Sequence, residues 1–84
     1  MGKDERKFTT LDIYTAAYLE LNGVQANLEK SGKRVVFAFP LDKHLELLLN
    51  TFSSNASVPI ADFIAILKQL KARMHAARGG SDVV

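Results

Sequence analysis

The chain has 84 residues, 48% of them apolar and 24% charged, with 11 Lys and Arg against 9 Asp and Glu for a net charge of +2. That length supports one hydrophobic core and not two, and the balance of apolar and charged residues excludes a disordered chain. Because the sequence holds no cysteine, a disulfide framework and a thiolate metal site are both excluded, and a reducing compartment is the expected setting.

Residues 1–7, MGKDERK, mix both charge signs where a secretion signal needs an apolar stretch. They read as a flexible N-terminus, and the protein as cytoplasmic. Arg6 stands where a myristoylation motif requires Ser or Thr. No later run approaches the ~20 apolar residues of a membrane span.

The spacing predicts a helix over residues 10–22. Thr9 is read as its N-cap, with Asp12 reaching back as in a capping box and Phe8 and Ile13 closing a hydrophobic staple. Leu11, Tyr14, Tyr18 and Leu21 recur at helical spacing and define the expected buried face, widened by Ala17. Asn22-Gly23 ends the helix, since glycine accepts the left-handed conformation of a C-terminal cap.

The period then changes from 3.6 to 2. Val24, Ala26 and Leu28 alternate with Gln25, Asn27 and Glu29, the pattern of a half-buried strand. A turn at Ser31-Gly32 leads into a second strand, Lys33 to Phe39, rich in β-branched and aromatic residues and closed by Pro40. A two-residue loop at that turn pairs Lys30 with Lys33, sets Leu28 opposite Val35 and Ala26 opposite Phe37, and places Phe37 and Phe39 on the covered face. On the other face Glu29 would meet Arg34, and Val36 and Ala38 would stay open.

Asp42 is a good N-cap for a second helix carrying Leu45, Leu48, Leu49 and Phe52 at one face, ended by Ser53-Ser54-Asn55. The third helix starts near Pro59, has Asp62 in its first turn and shows a stripe of Ile60, Phe63, Ile64, Leu67, Leu70 and Met74. Gly79-Gly80 stops it, leaving residues 81–84 as a frayed tail. The expected architecture is therefore α+β in the order α-β-β-α-α, with a two-stranded antiparallel hairpin and helices packed on one face of it. Residues 8–78 form the domain and 79–84 a disordered tail.

No catalytic, cofactor or metal signature emerges. The glycines are too scattered for a phosphate-binding loop, and His44 and His75 lie on different helices, so neither pairs with a nucleophile in the sequence. Asp42, His44 and Glu46 point to different sides of a helix and do not converge on one ion. Tyr14 and Tyr18 fall on an apolar stripe and read as core residues rather than a base-stacking pair.

Charge is the uneven feature. The third helix carries Lys68, Lys71, Arg73 and Arg78 after Phe63 with no acid among them, and the hairpin tip adds Lys30, Lys33 and Arg34. On a helical wheel Lys68, Lys71 and His75 share an edge while Arg73 points elsewhere. Lys30, Lys33, Arg34, Lys68, Lys71 and Arg78 are the candidate contacts for a phosphate backbone.

The segments FTTLDIYTAAYLELNG, VVFAFP and VPIADFIAILKQLKARM resemble a family of short bacterial and phage-associated domains of unknown function. That family opens with Phe-Ser/Thr-Thr-x-Asp and closes with a helix bearing a Leu-Lys pair. The likeness spans residues 8–74 and implies the same α+β fold, with no activity or functional residue to carry over. Two functions follow as expectations. One is a non-enzymatic interaction module that pairs with itself or another protein, because a lone hairpin is marginal unless covered. The other is a small nucleic-acid accessory protein using the basic helix and hairpin tip.

Overall fold

Val35, Phe37 and Phe39 are all buried on one strand, and that strand lies at the centre of a sheet rather than at the edge of a hairpin. The computed structural model describes residues 6–78. Its elements are β1 (Lys7–Thr10), α1 (Ile13–Leu21), β2 (Asn27–Ser31), β3 (Arg34–Pro40), α2 (Lys43–Ser53) and α3 (Ile60–Ala77). The sheet is antiparallel with order β1-β3-β2. The α+β class stands, but the sheet has three strands, not two. Lys7, expected within a flexible N-terminus, opens β1, and the Leu41 N–H donates to the Arg6 carbonyl at 3.1 Å. Residues 1–5 and the expected tail at 79–84, including the Gly79-Gly80 stop, lie outside the described residues.

The added strand moves the start of α1. Phe8, Thr9 and Thr10 pair with Phe39, Ala38 and Phe37, so Thr9 belongs to the sheet and is not the N-cap. Asp12 takes that role instead: its carboxylate accepts the N–H groups of Tyr14 and Thr15 and the Thr15 hydroxyl. Helix α1 ends as expected. Gly23 adopts φ +91°, and the Val24 and Gly23 N–H groups reach back to the Leu19 and Glu20 carbonyls, both at 3.0 Å, forming a Schellman cap.

The hairpin turn sits one residue later than the two-residue loop at Ser31-Gly32. Its central residues are Gly32 and Lys33, Ser31 pairs with Arg34, and Leu28 faces Phe37 instead of Val35. Gly32 at φ +67° supplies the positive φ that a type II′ hairpin requires at this position. Moving the loop by one residue shifts the pairing by two, so every side chain keeps its face. Phe37 and Phe39 accordingly remain on the covered side. The strand itself begins at Asn27, later than the alternation from Val24 suggests.

On the outer face the new register removes the expected Glu29–Arg34 pair. Glu29 accepts two 3.0 Å hydrogen bonds from Lys7 of the far strand, spanning β3. Ala38, expected to be open there, is buried between its neighbours Thr9 and Asn27, and Val36 is half-buried.

The helices pack on the opposite face around Phe37, Phe39, Leu19, Leu45 and Leu70, all fully buried. Helix α1 is enclosed along Ala16–Leu19, where two alanines leave room for close neighbours. Its expected stripe is only partly right: Tyr18 is buried against Phe52, ring centroids 5.2 Å apart, while Leu11 and Tyr14 are more than half exposed. Asp42 caps α2 through the Leu45 N–H at 2.9 Å, as expected. In α3 the buried side is Phe63, Ile66, Leu67, Leu70 and Met74, which adds Ile66 and leaves Ile60 and Ile64 exposed.

Phe37 touches both layers, so Phe37→Ala is expected to cost about 3–5 kcal/mol in chemical denaturation. Val36→Thr, on the outer face, is expected to cost under about 1 kcal/mol. The reverse ranking would show that the sheet faces are inverted.

Candidate functional site

The exposed cations depend for their arrangement on how α3 is held. Arg73 turns inward from α3, donating at 2.9 Å to a Glu20 carboxylate oxygen on α1 and at 2.9 Å to the Ala26 carbonyl. The same Glu20 oxygen accepts the Ala26 N–H at 2.9 Å. Both polar groups of the Ala26 backbone, at the entry to β2, are thereby satisfied by side chains from two helices. Arg73 is thus a structural cation. Its absence from the candidate contacts agrees with the wheel, which turns it away from Lys68 and Lys71.

With α3 fixed in this way, its C-terminal end meets the hairpin tip. Lys33 and Arg34 from the tip and Arg78 from the end of α3 line one shallow recess of about 230 Å³, whose walls include Leu11, Val35 and Met74. Cations from two segments far apart in sequence are thus brought together beside Leu11, Val35 and Met74. Lys71 stands two turns before Arg78 on the same side of α3. Lys30, Lys68 and Lys71 are exposed but do not line the recess. None of the six candidate cations is held by an acid among the described residues. Leu11, which helical spacing assigns to the core stripe of α1, lines this recess instead.

Two larger depressions lie elsewhere among the described residues. One, of about 300 Å³, lies among Tyr14, Tyr18, Phe52, Val58 and Phe63, where α1 and α3 meet the loop after α2. The other, about 470 Å³, opens on the outer sheet face beside Lys7, Asn27, Ala38 and Pro40. Neither gathers an acid–base set. His44 and His75 are exposed on separate helices. Asp42, His44 and Glu46 remain dispersed, with one Asp42 oxygen used in its cap. Among the described residues no three His, Asp or Glu side chains come together as metal ligands.

Residues 5–76 of the chain match the family model described as Domain of unknown function (DUF5659). The match covers most of the sequence, and the chain belongs to that family. Comparison with curated proteins and with solved structures returns no match.

The Glu20–Arg73 contact is half shielded and shares its acceptor with a backbone donor, whereas Lys7–Glu29 lies in solvent. Glu20→Gln is therefore expected to cost about 1–3 kcal/mol in urea denaturation, and Lys7→Gln under about 1 kcal/mol. Equal costs would remove the central role assigned to Glu20.

Proposed function

We propose that the domain is a non-enzymatic interaction module that associates with itself in the cytoplasm. The observation that carries this reading is the set of large apolar side chains that the described residues leave exposed. Leu11, Tyr14, Leu47, Ile60 and Ile64 are each more than two-fifths exposed. A small domain gains stability when such surface is buried against a partner.

The outer sheet face, by contrast, is partly closed by the Lys7–Glu29 bridge and the burial of Ala38, which favours the helix side as the contact surface. The separation of the two exposed histidines supports binding rather than catalysis. The cysteine-free composition suits the cytoplasm, and no described helix is long and apolar enough to cross a membrane.

Size-exclusion chromatography with light scattering is expected to give twice the single-chain mass at high micromolar concentration, falling on dilution. A single-chain mass at every concentration would overturn self-association.

A second reading, contact with nucleic acid, is favoured by the convergence of Lys33, Arg34 and Arg78 on one recess. A fluorescence titration with a labelled duplex would then show binding at low salt that weakens steeply as salt rises. Replacing the three cations with Ala would lower the low-salt affinity by at least about tenfold. Absence of binding at low salt would remove this reading.

A further inference from the structure

We infer that two copies of the chain pair through α3, with the helices antiparallel about a two-fold axis near Gln69; this rests on the self-association proposed above and names its surface. Ile60, Ile64, Leu67, Lys71, Met74 and Arg78 follow one another at spacings of four and three, the seam of a helix that packs on another helix. Ile60 is 65% exposed and Ile64 43%, while Leu67 and Met74 are half-buried at the edge of the core. The inward-facing Arg73 sets the rotation of α3, so that Ile60, Ile64, Lys71 and Arg78 are exposed and Leu67 and Met74 mark the seam's boundary with the core.

The two ends of the seam are complementary. At its start stands an apolar projection, Ile60 and Ile64. At its end is the recess walled by Leu11, Val35 and Met74. An antiparallel pairing that sets Ile64 beside the partner's Met74 and Leu67 beside the partner's Lys71 also carries Ile60 to the partner's Arg78, at the mouth of that recess. The two-fold axis repeats the contact in the other direction, so each copy supplies one projection and one recess and the assembly closes as a dimer.

Charge selects the same orientation. Before Lys68 the sole charged side chain of α3 is Asp62, whereas from Lys68 onward it has Lys68, Lys71, Arg73 and His75 with no acid. Parallel helices would set Lys71 against Lys71 and Arg78 against Arg78. Antiparallel helices lay each basic half along an apolar one, where the lysine and arginine stems cover Ile60 and Ile64 and keep their charged ends in water. The opposed helix dipoles favour the same arrangement. The two Lys68 side chains flank the axis, a like-charge pair on exposed stems that is weak in water.

Because the sequence holds no cysteine, thiols placed on the rim of the seam report orientation directly. Ala61 and His75 are both exposed and flank the seam on one side. In the antiparallel dimer Ala61 lies beside the partner's His75, while the two Ala61 are separated by about 24 Å and the two His75 by about 18 Å along the helix. A mixture of Ala61→Cys and His75→Cys chains treated with a short thiol-to-thiol cross-linker is expected to give covalent dimers, and each variant alone little or none. Ile64→Lys is expected to raise the dimer dissociation constant by at least about tenfold, with an unchanged circular dichroism spectrum. Cross-linking of Ala61→Cys to itself would overturn the antiparallel arrangement. A wild-type dimer with no cross-link in the mixture and no effect of Ile64→Lys would overturn the α3 surface and leave self-association standing. A wild-type chain that stays single at every concentration would overturn both.

Discussion

One carboxylate oxygen of Glu20 organises much of this domain. It accepts from Arg73 of α3 and from the backbone of Ala26, so α1, α3 and the approach to β2 meet at a single acceptor. A charge so placed is stable only while its partners hold their positions, because a partly buried carboxylate without donors is strongly disfavoured. The consequence reaches the surface. With Arg73 turned inward, Ile60, Ile64, Lys71 and Arg78 of α3 face solvent. The end of α3 is brought to the hairpin tip, where Lys33 and Arg34 join Arg78.

Much of the fold is legible in the sequence because it rests on local chemistry. The Asn22-Gly23 cap, the Asp42 cap and the alternation around Phe37 and Phe39 each involve residues a few positions apart. β1 is not legible in that way. Its four residues, Lys-Phe-Thr-Thr, are too few for a period to register, and Thr9 offers an N-cap of its own. Pairing with β3 outweighs that local preference, and Asp12 then caps the helix with both carboxylate oxygens. The two β-branched threonines beside an aromatic residue were the signal available.

The candidate site was legible as a set of charges and not as a place. Lys33, Arg34 and Arg78 are visible in the sequence as cations, but their approach to one another depends on contacts between segments more than forty positions apart. The apolar residues were misassigned for a related reason. The apolar arc of α3 is broad enough to include Ile60, Ile64 and Ile66, and periodicity does not tell which edge of the arc faces the core. Arg73 decides it, through a partner on another helix.

The central position of β3 has a consequence for how the sheet assembles and comes apart. β2 and β3 are neighbours in sequence and close over a two-residue turn, whereas Phe8 must find Phe39 across the whole of α1 and the hairpin. Closing that longer loop costs more chain entropy. On that ground β1 is expected to dock last and to leave first, and a domain that opens at this edge would keep its hairpin intact. Such a partial opening would also release Lys7 from Glu29 and bare one side of β3, giving the native state a frayed margin whose lifetime is set by four residues.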